Sequence, residues 1–178
     1  DADALISGYS RSYPTVVKPM LELIGMAKGA TRIAATNLMM TQRGPMFLSD
    51  TAINIDPSAE DLAKIVQMTA RTVRMFGMEP VIAMISFANF GSSHSPRSSK
   101  VGEAVKLLHE SHPDLLVDGE LQTDFALNSE MLQRTFPFSK LAGKKVNTLI
   151  FPNLDAANIT YKLLKELNKS ESIGPIMM

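Results

Sequence analysis

The 178 residues carry 18 Lys plus Arg against 18 Asp plus Glu, so no net field draws the chain to nucleic acid, an acidic substrate or a membrane surface. Hydrophobic residues make up 45% and charged residues 20%, the usage of an ordinary soluble fold built as one domain or one large lobe. Cysteine is absent, which excludes disulfides, thiolate metal sites and a Cys nucleophile.

No apolar run reaches the roughly 18 residues that a membrane-spanning helix needs. The opening Asp1-Ala2-Asp3-Ala4 lacks the basic segment of a secretory leader. The chain begins without Met and closes on an apolar strand at 173–178, so both ends read as cut from a longer polypeptide. A reducing, cytoplasmic setting fits the missing cysteine.

In chain order, residues 4–6 form a short apolar strand candidate ending at Ser7-Gly8. Val16, Val17, Met20, Leu21 and Ile24 follow at helical spacing, and Pro19 within them predicts a late start or a kink. Residues 32–40 and 45–48 read as two strands around Gln42-Arg43-Gly44, a hairpin pattern. The strongest helix covers 58–76. Ser58 is its N-cap with Asp61 completing a capping box, Leu62, Ile65, Val66, Thr69, Val73 and Phe76 share one face, and Gly77 ends it.

Residues 81–85 are then an apolar strand, followed by a Ser- and Gly-rich loop at 86–95 and a helix opened by Pro96, with Val101, Ala104, Val105 and Leu108 on its inner face. Another strand is expected at 115–117, a helix at about 123–134, a β-branched strand at 146–151, and a last helix marked by Leu154, Ala157, Tyr161, Leu164 and Leu167. Short, continuously apolar strands alternating with helices indicate a sheet covered on both faces. The predicted fold is therefore a three-layer α/β/α sandwich with a mostly parallel sheet and one antiparallel hairpin.

In such sheets ligands bind beyond the carboxyl ends of the strands, where three loops are expected. The first, 86–95, offers Ser86, Asn89, Gly91, Ser92 and Ser93 ahead of a helix start, with Arg97 just inside. Backbone N–H groups there can hold a phosphate, although a serine-rich turn that merely caps the helix is the commoner origin of such a stretch. It lacks the Lys of a Walker motif. The second, 118–124, carries Asp118, Glu120, Gln122 and Asp124. Acid–base or cation chemistry competes there with turn fixing and helix-dipole roles, and no His lies near to make a metal site. In the third, 151–158, Asn153 or Asp155 is a cap for the last helix, and Asn158 lies within its first turns. His94, His109 and His112 define no Ser-His-Asp spacing, and the 12 Met residues are accounted for as core filling.

Taken together, Asp118-Gly119-Glu120-Leu121-Gln122, Leu149-Ile150-Phe151-Pro152-Asn153-Leu154, Asn158-Ile159-x-Tyr161-Lys162, the closing Ile173-Gly174-Pro175 and the opening Ser7-Gly8 resemble the phosphate acetyl/butyryltransferase family in order and spacing. The resemblance covers essentially the whole chain as one lobe of such a domain. The finer likeness is to the copy at the C-terminal end of bacterial NADP-dependent malic enzymes. Phe87-Ala88-Asn89-Phe90-Gly91-Ser92 stands where stand-alone phosphotransacetylases usually have Ser-Thr-Lys-Gly after the aromatic residue, and Ala157 stands where they commonly have Gly.

The resemblance implies a parent chain that converts malate to pyruvate with NADP and a divalent metal, none of whose machinery lies in these residues. It also implies a homodimer or higher oligomer, with acetyl-CoA or a related CoA ester as effector, and no nucleic-acid or membrane partner. Lys18 stands where an arginine of the substrate cleft is usual, keeping the charge but losing the guanidinium fork. The Ser-Arg pair and the aspartate of the transferases lie beyond the segment matching residues 173–178, so no catalytic residue and no bound cofactor are expected here. Three readings follow. The first is a regulatory, CoA-ester-sensing assembly domain, the second a phosphate acetyltransferase, and the third a dimerisation lobe without ligand.

Overall fold

A computed structural model describes residues 5–8, 11, 13–26 and 30–178. It divides into two compact units, Asp1–Ile33 and Ala34–Met178. In the first unit, helix α1 spans Tyr13–Leu23 with Pro19 inside it, so the expected late start does not occur. Residues 5–8 are neither helix nor strand. The strand expected at 4–6 is therefore not formed at Leu5 and Ile6, which are 59% and 97% exposed, and Ala4 lies outside the described residues. A strand needs a neighbour to satisfy its backbone groups, and a short apolar run alone does not supply one.

The second unit opens with the predicted hairpin, β1 (Ala35–Thr41) and β2 (Gly44–Ser49), paired antiparallel from Thr36↔Ser49 to Thr41↔Gly44. Gly44 takes φ +101° after the turn, a conformation open to glycine at no steric cost. Helix α2 (Ala59–Met75) begins at Ser58 through the expected capping box. Asp61 N donates to Ser58 Oγ and Ser58 N donates to Asp61 Oδ2, both at 3.2 Å. The Ser58 hydroxyl also donates to Glu60, and this bond holds the Glu60 carboxyl below the ordinary carboxylate range. Ser58→Ala is expected to lower the unfolding free energy of the chain by about 1 kcal/mol, read as a shift of the urea midpoint at unchanged slope, with Ser58→Asn close to wild type.

Next come β3 (Val81–Ile85), α3 (Pro96–Ser111), β4 (Leu116–Leu121), α4 (Thr123–Leu127), α5 (Ser129–Thr135), β5 (Thr148–Ile150), α6 (Leu154–Asn168) and β6 (Ser172–Met177). Two departures from the sequence pattern stand out. The helix expected at 123–134 is two short helices, because Asn128 leaves helical geometry and its Oδ1 accepts from Met131 N at 3.0 Å to start α5. Strand β4 runs on to Leu121 instead of ending at Val117, so Asp118 and Glu120 belong to a strand and not to a loop.

The described residues build a six-stranded sheet in the order β4-β3-β5-β2-β1-β6. Pairs β4-β3, β3-β5 and β5-β2 are parallel. Only β1 runs the other way, so β6 adds a second antiparallel pair on its far side. The strands alternate as the pleat requires. Ile82 and Met84 face a core with Leu62, Ile65 and Val66 of α2 and Val101, Ala104 and Leu108 of α3. Ala83 and Ile85 face a second core with Ala126 of α4, Leu132 of α5 and Ala157 of α6. Helices therefore cover both faces, as the three-layer α/β/α sandwich demands.

This wiring fixes where a ligand can enter. From β3 the chain passes through α3, on the first face, to β4 on one side. From the adjacent β5 it passes through α6, on the second face, to β6 on the other side. Two neighbouring parallel strands whose outgoing helices diverge to opposite faces leave a crevice at their carboxyl ends, the topological switch point of an open α/β sheet.

Candidate functional site

A cleft of about 640 Å³ lies at that switch point. Its floor is the end of β3 at Ile85, Ser86 and Phe87 and the turn after β5 at Pro152 and Asn153. Its walls are the first turns of α3 and α6 and the loop after β2 that carries Asp56. Pro96 opens α3, where its missing N–H costs nothing, and Ser95 caps it by accepting from Arg97 N at 3.3 Å. Asn153 caps α6, its Oδ1 accepting from Ala156 N at 2.9 Å.

Charge is unevenly distributed around this space. The first turn of α3 has no acidic side chain and carries Arg97, with Lys100 one turn further in. Lys100 Nζ donates to Asp56 Oδ1 and, at 2.9 Å, to Pro57 O. The hydrogen bond and charge of Lys100, with the field of Arg97, hold the Asp56 carboxyl below the ordinary carboxylate range. Asp155 supplies the opposing carboxylate from the start of α6.

The residues expected to bind ligand separate into two groups. Ser86 and Asn153 line the cleft. Asn89, Gly91, Ser92, Glu120 and Gln122 instead brace the serine loop from behind. Asn89 and Gln122 form a closed pair, Asn89 Nδ2 donating to Gln122 Oε1 and Gln122 N to Asn89 Oδ1, each at 2.8 Å, while Gln122 Nε2 donates to Phe87 O at 2.7 Å. Glu120, buried on β4, accepts from Gly91 N at 2.7 Å. Its other oxygen would lie 2.7 Å from a Cβ at Gly102, so the bare glycine lets α3 sit close. Ser92 Oγ accepts from Asn89 N and Ser93 Oγ from Ser95 N, at 2.9 and 3.2 Å.

Asp118 faces the turn beyond α5, not the cleft. Its Oδ2 accepts from Ser139 Oγ and Lys140 N, both at 2.8 Å, and His109 Nε2 is 4.0 Å from Oδ1. Lys18 belongs to the first unit, where its Nζ is 4.0 Å from Glu22 Oε1. Phe90 sits at φ +43° with its ring 5.1 Å from that of Phe136 and 4.9 Å from that of Phe138, and Ala88 is buried. The middle of the serine loop is thus built into an aromatic cluster.

Sequence reasoning missed the loop after β2. Asp50 organises it, accepting from Ala35 N, Ala52 N, Ile53 N, Asn54 N and Asn54 Nδ2, and Asn158 Nδ2 of α6 donates to Thr51 O at 3.1 Å. A signal was present. A hairpin strand followed by a crossover helix must lie parallel to the strand that helix feeds, which brings the end of β2 to the same rim as the ends of β3 and β5.

The sequence pattern described as phosphate acetyl/butaryl transferase matches residues 1–178. The chain is 40% identical over 178 residues to the NAD-dependent malic enzyme of Rhizobium meliloti, covering all of this chain and 23% of that protein. It is 39% identical over 180 residues to the NADP-dependent malic enzyme of Escherichia coli, covering 24% of it. Its fold matches that of a phosphotransacetylase from Streptococcus pyogenes with a TM-score of 0.87 at 38% identity, over 96% of this chain and 52% of that one. The chain thus spans about a quarter of the malic enzymes and about half of the phosphotransacetylase. With a match along its full length and the same sheet beneath it, this chain belongs to the phosphate acetyl/butaryl transferase family.

Proposed function

We propose that this phosphotransacetylase-like domain senses a CoA ester, acetyl-CoA foremost, and helps assemble a cytoplasmic malic enzyme as a homodimer or higher oligomer, without transferring acetyl groups itself. The observation that carries this reading is the serine loop. Where the resembling transferases place a hydroxyl and a cation, this chain has buried Ala88 and has Phe90 packed against Phe136 and Phe138. An edge-to-face aromatic cluster supports a fixed loop. It offers neither a donor nor a charge to a phosphoryl group in transfer. The open cleft beside it retains Ser86, Arg97 and Lys100, groups suited to holding an anionic ligand. In this reading the oxidation of malate to pyruvate, with its nicotinamide coenzyme and divalent metal, belongs to other parts of the parent chain.

The test is malate oxidation by the full-length protein titrated with acetyl-CoA. The expected result is a saturable change in malate half-saturation of about fivefold or more, the lower end of ordinary coupling between sites, with no turnover of acetyl phosphate and CoA. Turnover of acetyl phosphate would make the domain a transferase. An oligomer on sizing with neither response would make it an assembly lobe alone.

A further inference from the structure

Another groove lies at the amino ends of the strands, the opposite rim from the cleft. Helix α2 ends at Met75 before β3 begins, and α3 ends at Ser111 before β4 begins. Between these two helix ends is a space of about 360 Å³, which falls at the low end of the ~300–1,000 Å³ usual for small-molecule sites. Buried Ala70 and Leu115 form its apolar base. Arg71 and Arg74 line it from α2, and Asp114 lines it from the segment after α3.

The fold uses these charges unequally. Arg74 lies in the last turn of α2, where a cation complements the helix dipole, and its Nε is 3.8 Å from Glu79 Oε2. Arg71, one turn earlier, has neither role, and its guanidinium donates to no described residue. Asp114 stands beyond the negative end of α3, where the dipole does nothing to stabilise a carboxylate, and it accepts from no described residue. Half-buried Gln67, one turn before Arg71, also leaves its side-chain amide unused among the described residues. A guanidinium and a carboxylate thus line one groove without pairing with each other. The ligand that matches both carries the two opposite charges itself.

We infer that this groove binds a free α-amino acid, its carboxylate on Arg71 and its ammonium group on Asp114. A guanidinium fork takes the two oxygens of a carboxylate at once, and the Asp114 carboxylate is the acceptor that an ammonium group needs. Gln67 and Arg74 add hydrogen-bonding capacity on the carboxylate side, and Ala70 and Leu115 give the ligand's side chain an apolar base. A simple anion gains Arg71 but meets Asp114 with like charge, so Asp114 selects against it. The site is separate from the cleft and does not rest on the CoA-ester reading.

Saturation-transfer NMR on the full-length protein, with the common amino acids as probes, tests the inference. At least one is expected to bind saturably. Its carboxamide, which lacks the negative charge, and its des-amino analogue, which lacks the positive one, are each expected to bind about tenfold more weakly, the weight of a charge-assisted pair. Arg71→Ala and Asp114→Asn are each expected to weaken the amino acid by about fivefold or more. Asp114→Asn is expected to tighten the des-amino analogue, because the like charge facing it is gone. Both side chains are exposed, and unchanged unfolding midpoints will show that neither variant has lost its fold.

The inference is overturned if no amino acid binds, if the des-amino analogue binds as tightly as the amino acid, or if either variant leaves amino-acid binding unchanged. The two proposals fail separately. Malate oxidation indifferent to acetyl-CoA, with amino-acid binding that depends on Arg71 and Asp114, removes the sensing role alone. A response to acetyl-CoA without any such amino-acid binding removes this groove alone.

Discussion

Gly119→Ala is expected to cost about 3–5 kcal/mol of stability, combining the ~1–3 kcal/mol of a backbone conformation unsuited to a side chain with a similar penalty for overpacking. Gly119 sits in β4 at φ +151°, and a Cβ there would lie 2.6 Å from Met84 O and 2.9 Å from Met84 Cβ. Both are parts of β3, the strand paired with this edge strand. The contact is mainly with backbone, so no rotamer change relieves it. A domain stabilised by about 5–15 kcal/mol would lose a large part of its margin. Because Asp118 and Glu120 flank the glycine, the same displacement would loosen Glu120 from Gly91 N and disturb the serine loop. Urea unfolding of the purified variant is the measurement, and a loss below 1 kcal/mol would show that the two strands part easily at this point.

Asp50→Ala is expected to destabilise the chain by about 3–5 kcal/mol, because each buried donor left without an acceptor costs ~1–3 kcal/mol. Asp50 is 4% exposed and makes no ion pair with a described residue. Its charge is balanced by N–H dipoles, Oδ1 taking Ala35 N, Ala52 N and Ile53 N at 3.0–3.2 Å and Oδ2 taking Asn54 N at 2.9 Å together with the Asn54 amide. Ala52 and Ile53 are part-exposed and can turn to water, whereas Ala35 and Asn54 are buried. The loss therefore concentrates on the latter pair. Asp50→Asn keeps one acceptor oxygen and turns an amide towards two donors, so about half the penalty is expected. The same loop carries Asp56, and ligand binding in the cleft should weaken alongside stability. Thermal unfolding of both variants gives the order Asp50, Asn, Ala, and an Asn variant as unstable as Ala would mean that charge, not acceptor count, holds the loop.

How much of this was legible follows from the range of each interaction. The start of α2 at Ser58, the opening of α3 at Pro96 and the Asn153 cap of α6 depend on groups three residues apart or fewer. The strand at Val81–Ile85 matches its apolar run. Strand β4 was read too short because Asp118-Gly119-Glu120 has the composition of a turn. The carboxylates are tolerated in the sheet only because Ser139, Lys140 and Gly91, 21, 22 and 29 residues away, satisfy them. The serine loop was read as a ligand cradle because its hydroxyls and amides are visible in sequence, whereas the partners that occupy them, such as Gln122 at a separation of 33, are not.

The sequence by itself determined the layer architecture, the hairpin, the starts of α2, α3 and α6 and the kinship, since periodicity and capping are local and motif order survives in one dimension. Only the tertiary structure decided which polar groups remain free. The cleft at the divergence of β3 and β5 depends on strand order, and the Lys100–Asp56 pairing joins residues 44 apart. Hydrogen-bonding capacity is a property of each residue, but whether it is already satisfied depends on neighbours that the folded sheet alone brings together.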